Sequence, residues 1–366
     1  MSDRILILGA SARAAAASAR RAGLTPFAVD LFADRDTQLL CERVERCPFD
    51  EYPRGLFDRA RRYPPMPWMY TGGLESYPDL VGELAREREL WGNGPDVLSL
   101  VRDPYFLDRL PKHVAGFAEV VVPNVAAVRK PLRGSGGGGV RRAEPGDSPH
   151  PDFYYQEFVE GEPRSAVFAT SDAGHLVAFG VTTQLIGPRW LHVSGFQYAG
   201  SISRPGVEPL VSGWAGDLVA ATGLRCVFGL DYIGDGGQVV DVNPRYVASV
   251  EVLELATGAS LLRCTGRPPP ASRAVGKAIY FTPARLVVPA SGPWDESLAH
   301  VSDVWRRPDF ADLPHPGEVI EPGQPVLTIL TDAATEAECR GKLKVRAAEL
   351  DRLFGFPTPE DDPCSR

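Results

Sequence analysis

The chain contains no run of 18 or more uncharged apolar residues, so no membrane-spanning helix is expected. Cysteine is sparse: six residues, at 41, 47, 226, 264, 339 and 364, none in a C-x-x-C pair. A chain of 366 residues can bury enough surface to fold without disulfides. The pattern therefore argues for a reduced cytoplasmic setting and against structural zinc. No extended Lys/Arg cluster is present, and a formal charge of −8 argues against nucleic-acid or anionic-membrane partners. Also missing are a Walker G-K-[ST], the second and third glycines of a dinucleotide fingerprint after Gly9, and any Ser-His-Asp or Cys-His arrangement. The ILILGA run after Arg4 is too short for a secretory signal, and Arg13 interrupts the segment, so no leader is expected.

What the N-terminal region does have is a βαβ opening. Arg4 to Ala10 is the continuous apolar run of a strand buried on both faces, and Ser11 stands where a helix N-cap would be. An Ala-rich segment runs to Arg21, Gly23 stops it, and TPFAVD supplies a second strand ending on Asp30. This predicts a Rossmann-like parallel-sheet domain over 1–105. The helix start at Ser11 is able to hold a small carboxylate or phosphate. Tyr70-Thr71-Gly72-Gly73 reads as a loop at a strand end, either a ligand loop or, the favoured reading, a packed connection. Helical patterns follow at Leu80 to Trp91 and Tyr105 to Leu110.

Three stretches further on carry chemistry. Phe228 to Arg245, FGLDYIGDGGQVVDVNPR, reads as a hairpin turning at Gly234-Asp235-Gly236-Gly237. Alternation sends Asp241, Asn243 and Arg245 to one face, and Asp231 joins them if it faces the same way. Such oxygen donors suit a hard divalent cation; the plainer alternative is an exposed hairpin with a polar face. Val125 to Arg142, VAAVRKPLRGSGGGGVRR, runs a strand into Lys130 and then into a loop whose bare backbone N–H groups suit phosphate oxygens, the alternative being a flexible linker. In Asp152 to Ser165, an aromatic strand leads to Glu157, Phe158, Val159, Glu160 and Glu162, an edge able to offer backbone groups to a purine and a carboxylate to a ribose.

In order and spacing these stretches resemble the ATP-grasp superfamily: KPLRGSGGGGV at 130 to 140, QEFVEGE at 156 to 162, and DYIGDGGQVVDVNPR at 231 to 245. The resemblance covers about residues 100 to 262 and implies an α/β architecture: an ATP-grasp fold at 106–265, with its lid at about 113–162, after the Rossmann-like domain. The remainder, 266–366, reads as a small C-terminal β-rich appendage with a final amphipathic helix from Thr335 to Phe354. The resemblance further implies ATP and Mg2+ (or Mn2+) as cofactors. Lys130 would lie on the nucleotide phosphates under a flap of Ser135, Gly136, Gly137 and Gly138. Glu157, Phe158 and Val159 would form the adenine linker, with Glu160 or Glu162 on the ribose. Asp231, Asp241 and Asn243 would hold metal, and Arg245 would face an acyl-phosphate, so Arg245 and Lys130 are the expected catalytic pair.

Two departures stand out. Asp241 occupies a position usually held by Glu, one methylene longer, and the lysine that usually opens the nucleotide subdomain has only Arg102 or Lys112 as candidates. The activity implied is ADP-forming ligation of a small-molecule carboxylate to an amine, with tyramine–glutamate ligases as one amide-forming likeness and a homodimer as the candidate assembly. A kinase-like phosphoryl transfer and a non-catalytic ATP-binding sensor are the alternatives. Between the motifs, Gln184, Trp190, His192, Gln197 and Tyr198 should border the acceptor site, His192 more as a structural hydrogen-bonder than a catalyst.

Overall fold

The structure, a computed structural model, describes residues 3–110, 118–124, 126–170, 175–206, 209–234, 237–263 and 266–359. Lys112, Cys264, Cys364 and the turn residues Asp235 and Gly236 lie outside them. The N-terminal region contains β1 (Arg4–Leu8), α1 (Arg13–Arg21), β2 (Thr25–Asp30), α2 (Arg35–Leu40), β3 (Arg43–Arg46), α3 (Arg54–Ala60) and β4 (Trp68–Tyr70). Its four strands pair in the order β3-β2-β1-β4, all parallel, as the βαβ pattern predicts. Helices α4 (Pro78–Ala85), α5 (Pro95–Val101) and α6 (Pro104–Asp108) follow; each begins on a proline, whose missing N–H costs nothing in the first turn.

Ser11 is not the cap of α1. The helix starts at Arg13 after Ala12 without a side-chain cap of its own. Asp30, at the end of β2, accepts the Ala12 N–H at 2.9 Å and those of Phe32 and Ala33 with its other oxygen. The anion that the helix start could attract is thus supplied from within the fold.

The middle of the chain forms a small sheet and most of a large one. Strands β5 (Ala127–Pro131), β6 (Arg141–Arg142) and β7 (Phe153–Glu157) make a three-stranded sheet in the order β6-β5-β7. Next come β8 (Pro163–Thr170), β9 (Leu176–Ile186), β10 (Tyr198–Arg204), α7 (Pro209–Thr222), β11 (Val227–Ile233), β12 (Gln238–Asn243) and α8 (Ser249–Thr257). The C-terminal region adds β13 (Ala274–Phe281), β14 (Leu286–Val287), α9 (Asp295–Ala299), β15 (Phe310–Ala311), β16 (Val319–Ile320), β17 (Pro325–Ala333) and α10 (Glu336–Phe354). Thr335 caps α10 by accepting the Glu338 N–H. The large sheet runs β12-β11-β8-β9-β10-β13-β17-β15, so the two long C-terminal strands extend the central sheet beyond β10.

Both faces of that sheet are covered. On one, Val211, Trp214 and Leu218 of α7 bury Phe168, Phe228 and Leu230, with the two phenylalanine rings stacked at 5.4 Å. Each such side chain contributes roughly 1.5–3 kcal/mol by leaving water. On the other face, Val250 and Leu253 of α8 pack together with Ile5, Ile7 and the alanines of α1. Helix α8 therefore joins the sheet to the N-terminal region and fixes the position of the hairpin end that precedes it.

Candidate nucleotide cleft

The hairpin forms in register. Asp231 on β11 lies directly opposite Asp241 on β12, and Gly229 lies opposite Asn243, so both carboxylates emerge on one face. Asn243 Nδ2 donates to Asp231 Oδ2 at 2.9 Å, and Gln184 Nε2 of β9 donates to its Oδ1 at 3.1 Å. Burial first, and the neighbouring Asp241 charge second, push the Asp231 carboxyl up to about 6 against the bonds from Ser165 and Asn243. Two carboxylates and one amide oxygen on adjacent strands fit a hard divalent cation that draws its remaining ligands from phosphates. Among the described residues, no three or more His, Cys, Asp or Glu are placed to hold a metal by themselves.

Arg245 lies just beyond β12. Its Nη2 donates to Asn243 Oδ1 at 3.0 Å, its Nη1 to the Tyr246 carbonyl, and its Nε to Glu75 Oε1 at 2.8 Å. Glu75 is buried, and its Oε2 has no hydrogen-bond partner among the described residues. It belongs to the turn after β4, where Gly72 lies against the Arg245 guanidinium, 3.4 Å from an added Cβ. Thr71, Gly72 and Gly73 are not among the residues lining the cleft; Thr71 is buried and its hydroxyl donates to the Ser11 carbonyl at 2.8 Å, so the loop is a packed connection that supports Arg245 from behind.

Lys130 projects from β5 toward the same face. Its Nζ donates to the Val240 carbonyl at 2.7 Å and to Gln156 Oε1 at 3.2 Å, and it lies 5.6 Å from the centre of the Tyr154 ring. Burial would lower its pKa, but Tyr154 and Asp241 outweigh it and hold Lys130 above the usual lysine value. Arg102, directly after α5, donates from Nη1 to Asp241 Oδ1 at 3.0 Å. Of the two expected candidates for a second cation near the phosphates, Arg102 is in the cleft, whereas Lys112 lies outside the described residues.

The glycine loop is a docked structure and not a linker. The Tyr198 N–H donates to the Gly136 carbonyl at 3.0 Å, and a Cβ on Gly137 would collide with the Phe196 carbonyl. Gly136, Gly137 and Gly139 all have φ between 63° and 77°, the left-handed region that glycine enters without strain. The loop closes one side of a cleft of about 460 Å3 that brings together Lys130, Ser135 to Gly138, Phe158, Val159, Asp231, Asp241, Asn243 and Arg245.

The linker residues divide. Phe158 and Val159 line the cleft, but Glu157 and Glu160 are not among its lining residues. Backbone N–H groups of Glu157 and Phe158 are spent on the carbonyls of Glu119 and Ala126. Glu162 Oε2 accepts from Arg204 at 2.6 Å and from Arg164 at 3.1 Å. His192 is a structural hydrogen-bonder: its Nε2 is 2.7 Å from Asp351 Oδ1 of α10, which also accepts from the Tyr280 hydroxyl.

The ATP-grasp domain family matches residues 108–249. No curated protein matches the chain. Among solved structures, the L-amino acid ligase of Bacillus licheniformis superposes with a TM-score of 0.63 at 12% identity, covering 94% of this chain and 97% of the ligase. The biotin carboxylase domain of Hydrogenobacter thermophilus 2-oxoglutarate carboxylase, solved as a dimer with MgADP, ADP and bicarbonate, gives 0.65 at 12%, covering 90% of this chain and 86% of that one. Staphylococcus aureus N5-carboxyaminoimidazole synthetase complexed with ADP gives 0.62 at 11%, covering 93% and 96%. At these identities the structural likeness establishes the fold, and the match to the ATP-grasp domain family covers the stretch that carries the three motifs, residues 108–249.

Proposed function

We propose that the protein is an ATP- and Mg2+-dependent, ADP-forming ligase that activates a small-molecule carboxylate as an acyl-phosphate for attack by an amine. The observation that carries the reading is the convergence of Asp231, Asp241 and Lys130 on one cleft beneath the glycine loop. The ligands named for the solved relatives, MgADP and ADP, support a nucleotide in that cleft. The L-amino acid ligase supports the ligase class.

Asp231, Asp241 and Asn243 would hold the metal, which when bound supplies positive charge to phosphate oxygens. Lys130 places a fixed cation on the same face, at the end of the strand that leads into the loop. Backbone N–H groups of Ser135 to Gly137 suit phosphate oxygens, that of Gly138 being spent on the Ser135 carbonyl, and the loop's seat on Phe196 and Tyr198 shields that side of the cleft from water. Arg245 is held rigidly by Glu75 and Asn243, so its guanidinium is oriented before charge develops, as electrostatic preorganisation requires. Gln184, Tyr198 and Ser249 line the cleft near Asp231 and offer amide and hydroxyl groups to the acid or the acceptor. No side chain is assigned as a general base: the neutral amine attacks the acyl-phosphate carbonyl, the carbon–oxygen bond to phosphate breaks to release inorganic phosphate, and the proton shed by the nitrogen passes to that phosphate or to solvent.

The test is ADP release from full-length protein with Mg2+, ATP and pooled carboxylates and amines, alongside direct ATP binding. Arg245→Ala is expected to bind ATP nearly unchanged and to lose about 10²–10³ in turnover, the effect of removing one preorganised charge-stabilising group. A stable phosphorylated product in place of an amide would select phosphoryl transfer. Binding without turnover would select a sensor, and absence of both binding and ADP release would overturn the nucleotide reading.

A further inference from the structure

Arg102 belongs to none of the three motifs, yet it makes the direct contact with Asp241. Besides the 3.0 Å bond to Asp241 Oδ1, its Nη1 donates to the Val242 carbonyl and its Nη2 to the Gly134 carbonyl, both at 3.4 Å. One guanidinium thus spans the hairpin and the root of the glycine loop. Among the described residues its buried Nε has no partner, so the fork is not saturated where it sits. The two acidic side chains differ in how they are held. Asp231 has each oxygen engaged by an amide N–H, whereas the Asp241 side chain, 35% exposed, is the one a cation arriving from solvent meets first.

The charges of this face balance. Arg102, Lys130 and Arg245 stand against Asp231 and Asp241 in the cleft and Glu75 buried behind Arg245, three of each sign. A free divalent ion approaching Asp241 therefore finds no net attraction and must displace a bonded guanidinium to reach Oδ1. A polyphosphate reverses both conditions. It adds several negative charges, and its oxygens are a better match for the planar guanidinium fork than a single carboxylate oxygen.

We propose that Arg102 guards Asp241 against free divalent metal and yields it when phosphate oxygens arrive, so that metal enters the cleft with nucleotide and not before it. The inference rests on the nucleotide reading of the cleft. It assigns Arg102 a positioning role, acting on metal through Asp241.

The probe is Mn2+, followed by the loss of its free-ion paramagnetic resonance signal on titration into the full chain without nucleotide. Arg102→Gln is expected to bind free Mn2+ about tenfold or more tightly than the unmodified protein, because a bonded cation has been removed from the carboxylate. Arg102→Lys keeps the charge but not the fork, and should fall between the two. Adding Asp241→Asn to Arg102→Gln should abolish the gain, which places the bound Mn2+ at Asp241. Equal free-Mn2+ affinity in unmodified protein, Arg102→Gln and Arg102→Lys, with normal Mn2+-ATP binding by the unmodified protein, would overturn the guard and leave the nucleotide reading standing. Failure of the unmodified protein to bind ATP with Mn2+ would overturn the nucleotide reading and the guard together.

Discussion

Helix α8 borders two cavities built from the same materials, arginine and carboxylate, and the two behave differently. Ser249 at its start lines the cleft of about 460 Å3, and Glu251 lines a second cavity of about 290 Å3 between α1, α2 and the C-terminal region. In the second, Glu251 is bonded by both Nη atoms of Arg13, and Lys277 Nζ lies 3.4 Å away. Arg13 also donates to both oxygens of Asp312, at 3.1 Å each. Beside it, Glu254 is taken by Arg21, by the Ser18 hydroxyl and by the Leu261 N–H. Every one of these charges is answered within the chain, and the cluster ties α1, α8, β13 and the segment after β15 together. The cleft has fewer fixed bonds per charge: Lys130 is held by a carbonyl and an amide, and the Asp241 side chain is a third exposed. Charge alone does not mark a site. What distinguishes the cleft is bonding capacity that a ligand can still take up.

Breaking the inner cluster should have the largest effect. Arg13→Ala leaves Glu251 and Asp312 facing each other without their shared cation, and is expected to cost about 3–5 kcal/mol in unfolding free energy, the usual penalty for stranding buried charge. Denaturant titration would measure it; a loss below about 1 kcal/mol would place the cluster with ordinary surface pairs. A second test uses acid. Burial opposes ionisation of Glu251, but Arg13 and Lys277 more than compensate and hold its carboxyl down at about 2. Its folded value lies below its unfolded one, so its contribution is present above the unfolded value and is lost as pH falls through about 2. The stability gap between the unmodified protein and Glu251→Gln should therefore be widest near neutrality and narrow steadily in acid; a gap independent of pH would refute the assignment. The smallest effect belongs to the cleft. Gly137→Ala places a Cβ against the Phe196 carbonyl and should weaken ATP binding about tenfold, near 1.4 kcal/mol, with the unfolding midpoint little changed. Calorimetric binding and a thermal melt on the same sample would separate the two quantities.

The features legible in the sequence were those that repeat or cluster locally. A period of two on β12 was enough to bring Asp241 and Asn243 to one side, and register with β11 then supplied Asp231. Lys130 and the glycine loop were visible because one strand and one turn carry them. Glu75 was not, because its partner Arg245 is 170 residues away and meets it only through the loop after a parallel strand. Asp30 took the capping place expected of Ser11 for the same reason: the nearest acceptor in space lies 18 residues along the chain. Glu162 was visible as a carboxylate in the right motif, but not the two arginines that engage it, which come from β8 and β10.

The sheet order bears on how the polypeptide can be divided. Strand β10 pairs on one side with β9 and on the other with β13, which pairs in turn with β17. Cys339, Leu343 and Leu350 of α10 pack with Ala278, Tyr280 and Ile329 of those strands. A fragment trimmed to the matched stretch, 108–249, would bare the backbone donors and acceptors along one flank of β10 and strip the apolar covering from that half of the sheet. Such a flank pairs readily with other copies of itself. The matched stretch is therefore not a detachable cassette, and expression should begin from the whole chain.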